Sequence, residues 1–338
     1  MTAVADITPP PLTVRGVTFS PALFCAPMAG ITHSAFRRLL ADFGGYGALF
    51  TEMLSAKMIV HENPHKTPWL RRRPEEGKVI YQLMVTDTFR LPEIIARLGP
   101  LQPDGLDLNS ACSAPKVRFQ GGGADLFDNL GRLRAVVQVM RRHFAGPLSV
   151  KIRLGARRPD WRPRLRERLH MLEEEGVDAL TLHPRFAEES LNRAVRHELH
   201  GELRALTRLP VIANGDITGA PFVSERAAHF AGAAGLMMGR MVAAQPWLFA
   251  QWHDPAFTVN LAEVWRRSCA YIQEDFTPDK ALIRIKILAP YFARNFLFGH
   301  TLFLAVQNAP DLATALHRAE AFLEATPATR RHVSVDGL

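Results

Sequence analysis

Between residues 22 and 238, a short apolar run that ends on a polar residue or glycine and gives way to a helix-forming stretch recurs about eight times. The runs fall at 22–26, 48–51, 79–84, 105–109, 148–152, 178–182, 209–213 and 235–238. The stretches between them stop at glycine, as at Gly44-Gly45 and Gly176, and those at 126–143 and 164–175 space their apolar residues as a helix does. Strand and helix in regular alternation call for parallel strands joined by helices, and eight such strands close a (β/α)8 barrel. The competing doubly wound sheet is disfavoured: the first run leads into Ala26-Pro27-Met28-Ala29-Gly30 and not into a GxGxxG dinucleotide turn.

From Trp252 onward only helical spacing remains, at 261–274, 280–298 and 309–323. The expected organisation is an arm over 1–18, a TIM barrel over 19–253 and a smaller C-terminal helical domain over 254–338, with the boundary near Pro255. The formal net charge of +8 and pI near 9.8 favour a polyanionic partner. In the tail Arg266, Arg267, Arg284, Lys286, Arg294, His300, Arg330 and Arg331 interleave with Trp265, Tyr271, Tyr291 and Phe292. That mix suits phosphate contacts beside stacking rings, and equally suits a helical bundle with a solvated basic face. The three cysteines, Cys25, Cys112 and Cys269, are too scattered for a zinc knuckle or a CxxC pair, so no metal is expected. The start, with Pro9-Pro10-Pro11 and Asp6, lacks a signal-peptide pattern, and no apolar run spans a bilayer, so a cytoplasmic protein without membrane contact is expected. A monomer is the expected state.

Every polar residue that ends a run would stand at the C-terminal face of such a barrel, where these folds build active sites. Cys112 follows Asn109 on the loop after the fourth run, ahead of Gly121-Gly122-Gly123. A lone cysteine is often a buried small hydrophobe; beside a strand-end amide it becomes a candidate for chemistry on a planar ligand. Lys151 would bring a cation into the mouth to stabilise negative charge on a flat ring, with His183 beside it. Gln82 and the 26–28 backbone would complete the rim around that ring. Asn214-Gly215-Asp216 and Gly239-Arg240 end the seventh and eighth runs, where barrels often bind phosphate.

Segments in the order APMAGITHSAFR, TEMLSA, YQLM, DLNSACSAPKV, GGGADL, VKIRLG, LHPR, PVIANGDI and GLMMGR, ahead of a helical tail, resemble the dihydrouridine synthase family over most of the chain. The resemblance implies an FMN-binding barrel with a helical RNA-binding domain. Its activity is reduction of the uridine C5–C6 bond in tRNA at the expense of NADPH, with hydride passing from flavin N5 to C6. It makes Cys112 the general acid at C5 and turns Asn109, Arg185, Arg153 and Glu52 toward the substrate. Ala26, Pro27, Met28, Gln82, Lys151 and His183 would hold the flavin, and Asn214, Gly215, Asp216, Gly239 and Arg240 its phosphate side. Arg284, Lys286 and Arg294, helped by Arg71, Arg72 and Arg73, would contact RNA. The chain departs from the family pattern at Ala111-Cys112-Ser113, which stands for Gly-Cys-Pro with the proline displaced to Pro115, and at His33, which stands for Asp. Two other functions remain open: an FMN reductase of a free pyrimidine or enone, and an FMN-retaining RNA-binding protein without the reaction.

Overall fold

The computed structural model describes residues 7–338; the first six residues of the expected arm lie outside them. Eight parallel strands form a closed ring: β1 (Leu23–Cys25), β2 (Ala48–Phe50), β3 (Val79–Met84), β4 (Gly105–Ser110), β5 (Leu148–Ile152), β6 (Ala179–Leu182), β7 (Val211–Asn214) and β8 (Gly235–Met238). Each pairs with its neighbours in chain order; β8 returns to β1, and β2 closes onto β3 through Leu49↔Val79. The fold is a (β/α)8, or TIM, barrel. The strands are buried on both faces, which is why they show as unbroken apolar runs and not as alternation.

The principal helices around the ring are α1 (Ser34–Phe43), α2 (Leu91–Leu98), α3 (Leu130–His143), α4 (Trp161–Glu174), α5 (Leu199–Arg204), α6 (Ala220–Glu225), α7 (Arg240–Ala244) and α8 (Leu248–His253). The helix expected over 126–143 is broken: Asn129 ends one short helix, and its side chain accepts the Arg132 N–H to cap α3. His33 caps α1 in the same way, with Nδ1 accepting from Phe36 N–H at 3.3 Å. Burial and the charges of Arg284 and Arg37 push its pKa well down, and the neutral ring it needs as an acceptor follows. Of the expected arm, Leu12–Val14 and Val17–Phe19 form a hairpin that packs Leu12, Val14 and Phe19 on Phe24, Phe50, Ile80 and Met237, closing the floor of the barrel.

The tail has four helices where three were expected: α9 (Leu261–Asp275), α10 (Pro278–Phe292), α11 (Gly299–Gln307) and α12 (Leu312–Glu324). The single helix expected over 280–298 ends at Phe292 and turns through Ala293–Asn295, because Phe296 pairs across the fold with Thr329. The tail is not a separate ball. Val264, Trp265, Ile272, Ile285 and Leu288 share one apolar core with Phe36, Leu39 and Leu40 of α1 and with Leu23 and Leu236 of the barrel. Arg71 and Arg73 reinforce the junction by both donating to Asp275, at 2.6 and 2.7 Å, and Arg37 forms a fully buried pair with Glu76 at 2.8 Å.

Candidate functional site

In the barrel strands every second residue points inward, so Asp107 and Asn109 of β4 share a direction, as do Ser149 and Lys151 of β5. Register sets Gln82, Asp107 and Ser149 in one row and Asn109 and Lys151 in the next. Ser149 Oγ donates to Asp107 Oδ1 at 2.5 Å and Gln82 Nε2 to Asp107 Oδ2 at 2.8 Å. An ionised carboxylate only accepts, so Gln82 must turn its NH2 toward Asp107 and its oxygen toward Asn109 Nδ2, at 2.7 Å. The Asn109 oxygen is then left to accept the backbone N–H groups of Ala111 (3.2 Å) and Cys112 (2.9 Å). One chain of hydrogen bonds thus runs from the barrel interior to the cysteine loop. Burial pushes the Asp107 carboxyl up to about 6, against the hydrogen bonds of Ser149 and Gln82 and the charge of Lys151.

Cys112 lies in the loop between β4 and the short helix Pro115–Phe119, which the displaced proline begins. Its carbonyl accepts the Ala124 N–H at 2.9 Å. This closure needs a glycine at 123: φ is +58°, and a β-carbon there would sit 2.4 Å from the Cys112 carbonyl oxygen. Cys25 and Cys269 are buried and their thiols pushed far up by desolvation, whereas Cys112 is half-buried at the mouth. Cys112 is therefore the thiol that a ligand at this face can meet.

Lys151 is a buried residue, and its ammonium makes no hydrogen bond or ion pair among the described residues. Burial, reinforced by Arg153, pulls it down to about 8, with Asp107 and Cys112 opposing. His183 Nε2 lies 2.8 Å from Arg185 Nη1. Arginine only donates, so Nε2 accepts and the proton sits on Nδ1; burial and the surrounding cations keep the ring neutral. Gly215, at φ +117°, lets the backbone pass where a β-carbon would lie 2.7 Å from His183 Cδ2. On the opposite wall, Ala26 N–H donates to Met238 O at 2.8 Å, and Ala26 and Met28 border Gly239, with Pro27 between them.

Several expected site residues are engaged within the chain. Arg185 is buried behind His183, and its donors turn to Asp216 (2.5 Å), Leu191 O (2.8 Å), Arg193 O and His183, not to the mouth. Asp216 is the acceptor that joins Arg185 to Arg240 (2.6 Å), and Arg240 also donates to Leu338 O at 2.8 Å. Asn214 Nδ2 holds Met237 O at 2.9 Å. Arg153 Nη1 donates to the carbonyls of Phe186 (3.1 Å) and Glu189 (2.9 Å). Glu52 Oε2 accepts Gly30 N–H at 2.8 Å, Oε1 is buried without a partner, and burial raises its carboxyl.

The residues expected to contact RNA each have a partner within the chain. Arg284 is half-buried against Trp69 and Phe276, its guanidinium carbon 5.5 and 5.4 Å from their rings. Lys286 Nζ donates to Ala309 O at 2.8 Å and Arg294 to Asp336 O at 3.2 Å. Arg71 and Arg73 are taken by Asp275, and Arg72 pairs with Asp104 at 2.6 Å, so the triple arginine clamps the tail and the barrel instead of presenting three free cations. Asp107 and Ser149 were not singled out from sequence, although each stands two residues before a polar residue that was, the signal of a shared inward face.

Among the described residues no three His, Cys, Asp or Glu side chains are placed to hold a metal ion, and no helix is long and apolar enough to cross a membrane. Fold and site together define a barrel protein whose reactive groups, a half-buried thiol and an unpaired buried cation, meet at the C-terminal ends of the strands. Residues 24–292 match the dihydrouridine synthase family model. The tRNA-dihydrouridine synthase B of Escherichia coli K12 is 30% identical over 322 residues, covering 89% of this chain and 96% of that protein. The enzyme of the same name from Klebsiella pneumoniae is 29% identical over 265 residues, covering 75% and 79%. Among solved structures, an old yellow enzyme homologue from Zymomonas mobilis superposes with a TM-score of 0.54 at 13% identity, over 76% of this chain and 95% of that one, a likeness of fold. The chain belongs to the dihydrouridine synthase family.

Proposed function

We propose that this protein reduces uridine in tRNA to 5,6-dihydrouridine, using FMN and NADPH, with Cys112 as the proton donor. The observation that carries the reading is the placement of Cys112, held by Asn109 at a mouth whose floor presents the unpartnered Lys151 ammonium. An anionic flat ring suits that floor: Lys151 has no counter-charge of its own within ion-pair distance, and His183 offers Nδ1–H. Lys151, His183, Gln82 and the 26–28 backbone would hold the ring, and Gly215, Gly239 and Arg240 the phosphate, with Asp216 bracing the arginine. FMN, when bound and reduced, supplies the hydride that C6 of the uracil receives.

The remaining work falls to the chain. Uracil carbons do not exchange protons unaided, so addition at C6 requires a positioned donor at C5, and the Cys112 thiol fills that role. Asn109 keeps the loop in place through its two backbone contacts, and its remaining amide hydrogen can face the base. The uridine must leave its stack to reach the mouth, at about a few kcal/mol, least in a loosened loop. The test is dihydrouridine content, by mass, in tRNA from a strain lacking this gene, restored with the wild-type or the Cys112→Ala chain. Wild type should restore the modification; Cys112→Ala should bind flavin, accept electrons from NADPH and leave uridine unreduced. Product from Cys112→Ala at the wild-type rate would remove the acid assignment. No dihydrouridine from a flavin-loaded wild type that oxidises NADPH would point to a small unsaturated substrate.

A further inference from the structure

The loops after β5 and β6 border two adjoining hollows of about 560 and 700 Å³ that share Arg157 and Arg196 in their walls. Five arginines and three glutamates line the pair. The glutamates are partly spent: Glu189 takes both Nη atoms of Arg196 at 2.7 Å and the Phe186 N–H at 2.8 Å, and Glu188 accepts the Arg157 backbone N–H at 3.1 Å. Arg157, Arg158 and Arg193 are exposed and form no ion pair among the described residues. Trp161 gives the hollow a ring, capped by Arg162 at 4.4 Å and edge-on to Phe186 at 5.3 Å.

Place in the barrel adds to this. In a ring of eight, β5 and β6 lie across from β1 and β2, the strands flanking α1, on which the tail packs. Arg153, the residue after the end of β5, bonds the carbonyls of Phe186 and Glu189 in the walls of the hollows. The groove therefore opens from the ends of β5 and β6, across the ring from the tail, while the tail's own expected cations are largely engaged within the chain.

Resting on the proposed function, we infer that this groove is a phosphate track for the RNA backbone, so that the substrate is gripped from both sides of the mouth. Unpaired guanidinium groups next to a half-buried indole suit phosphodiesters flanking an extruded nucleotide. The test uses the full-length, flavin-loaded protein carrying Arg157→Gln, Arg158→Gln and Arg193→Gln together, with a labelled unmodified tRNA transcript followed by anisotropy across a salt series. The variant should bind about tenfold more weakly near 0.1 M salt. Its plot of log affinity against log salt should be shallower by about 2, since each lost phosphate contact removes about 0.7. Flavin reduction by NADPH without RNA, the thermal midpoint and the rate at saturating tRNA should not change, and three Arg→Lys changes at the same positions should keep the wild-type slope. Unchanged affinity and slope, with wild type binding normally, would overturn the groove alone. A raised KM for NADPH with unchanged tRNA affinity would give the groove to the dinucleotide. Failure of wild type to bind tRNA would overturn the proposed function and this inference with it.

Discussion

Replacing Gly123 with alanine isolates how far the reaction depends on where Cys112 stands. The backbone there has φ 58° and ψ −126°, a conformation that costs a side-chain-bearing residue about 1–3 kcal/mol. The added carbon would lie 2.4 Å from the Cys112 carbonyl oxygen and 3.0 Å from its Cβ, against roughly 3.4 Å for ordinary contact, so the loop must part by about 1 Å. It parts at the Ala124 N–H to Cys112 carbonyl bond, now 2.9 Å. A misplacement of that size at a reacting group costs about a hundredfold in rate. Gly123→Ala should therefore lower the thermal midpoint by a few degrees, at about 1–2 °C per kcal/mol, and the rate of dihydrouridine formation about a hundredfold. Flavin content and its reduction by NADPH should hold, because Lys151 lies on another strand and His183 and Gly239 just past the ends of two others. Stopped-flow flavin reduction beside single-turnover product formation separates the two. A lowered midpoint with full product rate would show that the thiol's position does not limit the chemistry.

Other expectations follow from the buried charges. Asp107 is held at about 6 in the fold against 3.8 for a free carboxyl, so the native state binds its proton more tightly. Its contribution to stability is present below about pH 4 and falls away as pH rises through 6, and Asp107→Asn should flatten that part of a urea-unfolding series. An identical pH profile in both proteins would contradict the assignment. Arg37→Met leaves Glu76 buried and unpaired, which should cost about 3–5 kcal/mol in chemical denaturation. The double change with Glu76→Gln should recover part of that, and equal losses from the single and double changes would argue against a stranded charge.

The barrel was legible because each strand is short, apolar and stopped by glycine, proline or a polar residue; the runs at 79–84, 148–152 and 235–238 match the observed strands end for end. The site's outline was legible for the same reason, since strand ends place Lys151, His183 and Asn214 at one face. Partners remote in the chain were not. Arg71 and Arg73 carry their charge in plain view, yet Asp275, which takes both, lies more than 200 residues away. The run 280–298 keeps helical spacing past its true end because the Phe296–Thr329 bridge is a tertiary contact. Asn129, between Asp128 and Leu130 and inside a helical pattern, hides the cap that breaks it.

The apolar core that α9 and α10 share with α1 and the barrel wall has a consequence for how the molecule comes apart. A module joined by a linker melts on its own and survives excision, but here removal of residues beyond 260 would bare Phe36, Leu39 and Leu40 to water. Barrel and tail should unfold in one calorimetric transition whose van't Hoff and measured enthalpies agree. Anything that touches the tail is then held at a fixed angle to the thiol.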